Sequence, residues 1–246
     1  MVTLTAGTAR IDVTPPLGVA MGGYAARDHG AEGIHDPLFA KALALSDGTT
    51  TLLLLTCDII SFNYRFTDPL RARIEATTGV PAGNILISNS HTHSGPLTWG
   101  VLSEDQVDAE YMDVLGRKLA SIAQMAVAQM RPATVGFARR EVRVGYNRRA
   151  MAPDEPLRGV PLRGPLAPVV DVMAIRDEAG RFLAALDRLL VGAPSVRRPV
   201  VRRVELGVED AAEQERDAAQ PQPQHPGEDY PDRLGRARDH RGLRAL

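Results

Sequence analysis

Asn84-Ile85-Leu86-Ile87-Ser88-Asn89-Ser90-His91-Thr92-His93-Ser94-Gly95-Pro96 opens on an apolar run and closes on a turn. Ile85 to Ile87 reads as a buried strand that dissolves into small polar residues, and Gly95-Pro96 stops any continuation as strand or helix. Two of the chain's six histidines occupy positions i and i+2 just past that strand. In an α/β sheet this edge is where ligand sites collect. If the backbone stays extended, alternation puts both imidazoles on one side and turns Thr92 away. Two neutral nitrogen donors on one face suit a borderline-soft cation such as zinc. A polar loop whose histidines merely hydrogen-bond nearby backbone accounts for the same residues, because His-x-His is a short motif without further ligands.

Upstream, Thr67 to Thr78 reads as a helix with Thr67 as its N-cap, Pro69 in its first turn and Gly79 as its stop. Before it, Leu38 to Leu45 and Thr50 to Cys57 flank Ser46-Asp47-Gly48-Thr49, and Asp-Gly between apolar runs is a strong hairpin signal. Leu52 to Leu55 is apolar on both faces and predicts a central strand covered on both sides. That strand runs into Cys57-Asp58, where the carboxylate is either a metal or catalytic group or a cap for the next loop. Ala6 to Val13 forms a first strand that ends at Thr14-Pro15-Pro16. The following Met21-Gly22-Gly23-Tyr24-Ala25-Ala26-Arg27 is either a loop whose backbone closely approaches something or a plain surface turn. His35 beside Asp36 is read as structural, since adjacent side chains seldom pair usefully.

Downstream, Trp99 either lines a cleft or packs on the core edge. Asp105 to Met130 is a long amphipathic helix, with Tyr111, Leu115, Leu119, Ile122, Ala126 and Met130 on one face and Arg131-Pro132 at its end. Thr134 to Tyr146 alternates as a strand leading into Asn147-Arg148-Arg149. Val169 to Ile175 and Arg181 to Leu186 form a second hairpin around Asp177-Glu178-Ala179-Gly180. A β-hairpin, helix, strand order of this kind predicts a layered α/β fold, a mixed sheet flanked by helices.

The chain's 246 residues can bury a sizeable core, and its formal net charge of −1 with interspersed signs argues against nucleic acid as a partner. A single cysteine, Cys57, excludes an intramolecular disulfide framework. No basic segment followed by an apolar stretch opens the chain, so no secretory signal is visible and a cytoplasmic location is expected. No apolar run approaches the roughly 20 residues of a membrane span. Beyond Leu186 the composition shifts to arginine, alanine, proline and glycine, and Asp187 to Leu246 holds no Lys, Ile, Phe, Trp, Met, Asn, Thr or Cys. Such text cannot offset its ordering entropy, and it is expected to be mostly disordered. Two segments follow: 1–186, which carries the patterned strands and helices of a folded domain, and 187–246, an Arg/Pro/Gly-rich tail.

Ala6-Gly7-Thr8-Ala9-Arg10-Ile11-Asp12-Val13-Thr14-Pro15-Pro16, Met21-Gly22-Gly23-Tyr24, Gly33-Ile34-His35-Asp36-Pro37-Leu38 and His91-Thr92-His93-Ser94-Gly95-Pro96, in that order, resemble the N-terminal catalytic region of the neutral/alkaline non-lysosomal ceramidases. The resemblance implies a Zn2+-dependent amidase that hydrolyses the N-acyl bond of ceramide or a smaller amide, with a lipid or small-molecule substrate. By position, His91 resembles the first zinc ligand and His93 the histidine that acts beside the metal. Asn147-Arg148 resembles the pair whose arginine contacts substrate. Zinc lowers the pKa of water to about 7 and polarises a carbonyl, a neighbouring histidine can move a proton, and an arginine can anchor a polar head group. The family's second zinc histidine follows the hairpin in an Asn-aromatic-Ala-Cys-His strand end, where this chain reads Asp187-Arg188-Leu189-Leu190-Val191-Gly192. The later serine, glutamate and tyrosine of the family have no counterpart here. A frame slip or truncation near Leu186 is expected, leaving an impaired hydrolase, a lipid- or small-ligand-binding remnant, or an inactive product.

Overall fold

The computed structural model describes residues 4–24, 26–99, 106–142, 169–189 and 203–206. Its elements in chain order are β1 (Thr5–Asp12), β2 (Phe39–Ser46), β3 (Thr51–Cys57), α1 (Tyr64–Thr78), β4 (Ile85–Asn89), α2 (Ala109–Ala128), β5 (Arg131–Glu141), β6 (Val169–Asp177), β7 (Phe182–Leu189) and β8 (Arg203–Leu206). The sheet order is β4-β3-β2-β1-β5-β6-β7-β8. Every pairing is antiparallel except β3 with β4, which is parallel. This is the expected mixed α/β sheet, and its one parallel pair is joined by α1, because a parallel return needs a crossover.

The sheet is continuous only through two residue pairs between β1 and β5, Thr5 with Pro132 and Ala6 with Arg131. Arg131-Pro132, which reads in sequence as a helix stop, is therefore also the start of a strand. Beyond it β5 pairs with β6 alone, and the two halves share a buried cluster in which Ala6 and Leu43 meet Ile175, Leu183 and Ala184. On the opposite face, α1 and α2 bury Leu70, Ile74, Leu115, Leu119 and Ile122 against β-strand residues that include Leu53 and Leu55. Gly7 permits the close approach of β1 to α2, since a Cβ there would stand 2.0 Å from the Ala126 carbonyl oxygen. The resulting layers are helices, β1 to β4, then β5 to β7, with burial of apolar surface as the main stabilising term.

Several local expectations shift by a turn or a residue. Helix α1 starts three residues before Thr67: Asn63 is the N-cap, its Oδ1 accepting from the Phe66 amide at 3.1 Å, and Gly79 is the left-handed C-cap as expected. Helix α2 is capped by Asp108, whose Oδ1 accepts from Tyr111 N at 2.8 Å. In β3, Leu53 and Leu55 are buried, but Leu52 is 45% exposed, so the second cover does not reach the start of the strand. Strand β7 continues to Leu189, and β8 lies at Arg203–Leu206, so both have residues within the segment read in sequence as tail. No residue after Leu206 is among those described.

Candidate functional site

The histidine turn hangs from the parallel pair β3–β4. Register along that pair ends at Cys57 opposite Asn89, and the Ser90 amide then donates to the Cys57 carbonyl at 3.0 Å. His91 follows with a φ of 59°, in the left-handed region that few non-glycine residues occupy. The chain is therefore not extended through the motif, and alternation is not what brings the imidazoles together. Two bonds to the segment after β3 hold His91 instead. Its amide donates to the Ile59 carbonyl at 3.1 Å, and its Nδ1 lies 2.8 Å from the Ile60 carbonyl oxygen. A carbonyl only accepts, so in this bond Nδ1 carries the proton and Nε2 keeps its lone pair. That is the arrangement of a metal-ligating histidine, in which a hydrogen bond on one ring nitrogen fixes the tautomer and aims the other.

His93 is half-buried, and its ring centroid lies 5.2 Å from that of His91 and 5.1 Å from that of Tyr24, edge-on to both. The glycine loop supplies this neighbourhood. Gly22 N donates to the Gly95 carbonyl at 3.0 Å, Leu97 N donates to the Ala20 carbonyl at 2.7 Å, and Met21 bridges to Pro96. Gly23 has a φ of +102°, and a Cβ there would stand 2.4 Å from His93 Cγ. Both conditions demand glycine, so the loop is of the close-approach kind. Arg27 donates from Nη1 to the Gly22 carbonyl at 2.9 Å and from Nη2 to the His93 carbonyl at 3.3 Å. The paired glycines were the sequence signal for this contact; Arg27 and the Ile59-Ile60 carbonyls carried none.

Other sequence candidates resolve into structural roles. Asp58 caps the β2–β3 end: its amide donates to the Phe39 carbonyl at 2.9 Å and its Oδ2 accepts from Phe39 N at 3.2 Å. Burial, and then the neighbouring Asp58 charge, push the Cys57 thiol well above its ordinary range, so it offers no thiolate. His35 and Asp36 do pair, at 2.7 Å, contrary to the expectation for neighbours, but both are exposed. The Trp99 indole N–H donates to Ser61 Oγ, which fixes the ring on the segment after β3. Asn147 and Arg148 lie outside the described residues. Among the described residues, no group of three or more His, Cys, Asp or Glu side chains is placed to hold one metal ion. The imidazoles thus fit part of a zinc donor set, since catalytic zinc usually has three protein ligands.

A cleft of about 400 Å³ adjoins the turn, lined among others by Met21, Ile34, Leu38, Thr92 and Ser94. Thr92 and Ser94 of the turn line it, whereas His91 and His93 do not. Among the described residues no helix is long and apolar enough to cross a membrane.

The profile of the neutral/alkaline non-lysosomal ceramidase N-terminal family matches residues 4–152. Two solved structures share the fold at 21% identity and a TM-score of 0.65: one described as ceramidase complexed with C2, the other neutral ceramidase from Pseudomonas aeruginosa. Each match covers 76% of this chain and 31% of the other, so the chain spans about a third of the length of those proteins.

Proposed function

The chain belongs to the neutral/alkaline non-lysosomal ceramidase family, and from that premise we propose that its histidine turn is one part of a zinc-dependent site for hydrolysing N-acyl amides of the ceramide type. The observation that carries this reading is the His91 imidazole, whose Nδ1–H is committed to the Ile60 carbonyl and whose ring lies beside that of His93, its Nε2 making no hydrogen bond among the described residues. In this reading His91 is a zinc ligand, His93 accepts and returns the proton of the attacking water, and Arg148 holds the polar end of the substrate. Bound there, zinc supplies Lewis acidity for the amide carbonyl and makes hydroxide available at neutral pH. His93 suits its role by position: it stands next to the ligand, is bounded by Tyr24, and sits on a turn rather than a mobile tail. The remaining donors have to come from outside the described residues, and we expect turnover by this chain to be impaired.

Metal content after purification tests the reading. Stoichiometric zinc that falls at least about tenfold in His91→Ala, the scale of losing one imidazole ligand or its orienting partner, is the expected result. Hydrolysis of a short-chain N-acylsphingosine, lost in His93→Ala with zinc retained, then assigns the proton role. Metal-free protein that nevertheless binds ceramide vesicles saturably replaces the reading with a binding remnant. Protein that does neither is a product without the site.

A further inference from the structure

We infer that Arg27 is the positioning residue of the histidine turn: it locks the Gly22-Gly23-Tyr24 loop against that turn and thereby orders the His93 imidazole. The inference rests on the reading of this turn as a hydrolase site. Arg27 lies 66 residues from His93 in sequence, yet its guanidinium donates to the His93 carbonyl from one nitrogen and to the Gly22 carbonyl from another. Its carbon also stands over the face of the Tyr24 ring, 5.2 Å from the centroid, and the edge of Tyr24 meets His93. One side chain thus touches the loop backbone, the turn backbone and the aromatic wall of the imidazole.

The chemistry favours this residue type. A planar fork with five donors can serve two carbonyls on different segments while its face lies on an aromatic ring, whereas an ammonium group is a point charge without that plane. Charge-assisted bonds to carbonyls are roughly twice as strong as neutral ones. Arg27 is half-buried, and among the described residues it makes no ion pair with a carboxylate. Its donors go to the two segments of this junction, the loop and the turn. The backbone bonds from Gly22 to Gly95 and from Leu97 to Ala20 hold the loop's first half, and Arg27 closes the second half, where Gly23 lies against the ring.

The test uses the full chain with Arg27→Ala and Arg27→Lys. Acylation of each histidine by diethyl pyrocarbonate is followed by peptide mass spectrometry, with exposed His29 and His35 as standards within the same molecule. Arg27→Ala is expected to raise His93 acylation by about tenfold relative to those standards, the scale of losing a charge-assisted hydrogen bond. The unfolding midpoint is expected to fall by only about 2–4 °C, so the domain stays folded. Arg27→Lys should leave His93 equally exposed to reagent, and free guanidinium should restore protection in Arg27→Ala where the same concentration of sodium does not. An unchanged His93 rate in both variants overturns the inference, as does a rise shared equally by His29 and His35. Zinc content measured on the same samples judges the functional reading separately. Absent zinc with a selective His93 effect removes the hydrolase and keeps the lock, while bound zinc with no His93 effect does the reverse.

Discussion

Tyr111 shows how one hydroxyl can position a loop that reaches the site. Its apolar ring belongs to the buried face of α2, which its three- and four-residue spacing predicts, but its Oη also donates to the Val13 carbonyl at 2.6 Å. Val13 is fully buried just past the end of β1, directly before the Thr14-Pro15-Pro16 turn that launches the glycine loop. Burial first, then the nearby Cys57 and Asp12, push the Tyr111 phenol above its ordinary range, so it stays a neutral donor across the working pH range. Tyr111→Phe keeps the ring and removes the donor. It should cost about 1–3 kcal/mol, the penalty for a buried acceptor that loses its partner. Urea denaturation monitored by circular dichroism measures it. A loss under about 0.5 kcal/mol, the scale of an ordinary surface change, would show that the Val13 carbonyl has other means of satisfaction.

Hairpin β6–β7 carries a pH signature of its own. Asp177, 5% exposed at the end of β6, accepts from Arg181 N at 2.9 Å and from Arg181 Nε at 2.8 Å. Burial raises its carboxyl, but those bonds and the Arg181 charge more than offset it and hold the group below the 3.8 of an ordinary aspartate. A depressed carboxyl stabilises the fold above its unfolded pKa and loses that contribution as pH falls through the folded one. Asp177→Asn should therefore flatten the stability–pH curve below pH 3.8 and lower its plateau near neutrality. A variant with the parent's acid slope would place the titration elsewhere. This hairpin and β2–β3 were legible because short-range turn chemistry sets both: Asp-Gly in one, Asp-Glu-Ala-Gly in the other. The start of α1 was not. Asn63 and Thr67 are both good caps, and Pro69 argued for the later one; Phe66 packing against Phe62 at 4.6 Å belongs with the earlier start. The conformation of His91 was less legible still, since it depends on carbonyls 31 and 32 residues back that only the parallel pairing brings alongside. The motif placed the histidines just past the end of β4, where they are found, but the arrangement of the two imidazoles there comes from tertiary contacts rather than from alternation.

The same limit governs where the folded unit ends. Composition breaks at Asp187, yet strand pairing runs past it: Asp187, Arg188 and Leu189 face Val172, Asp171 and Val170, and β8 pairs with Ala184 to Asp187. Cross-strand pairing is nonlocal, so a shift toward arginine and proline does not by itself end a sheet. Met1–Gly207 forms one compact unit, and within it Leu183 and Ala184 are buried in the cluster that joins the two halves of the sheet. A chain ending at Gly207 should therefore match the parent's unfolding free energy within about 0.5 kcal/mol, the scale of changes away from any core. A chain ending at Leu186 should lose at least about 2 kcal/mol, because it forfeits several ladder bonds on the order of 1 kcal/mol each. It also leaves β7 as a bare edge prone to association. Urea midpoints and slopes of the two truncations decide the matter, since the slope reports the surface exposed on unfolding. Equal stability for both would mean that the pairing beyond Leu186 adds nothing and that the fold closes where the composition changes. Loss in the longer truncation as well would make the last 39 residues part of the folded unit.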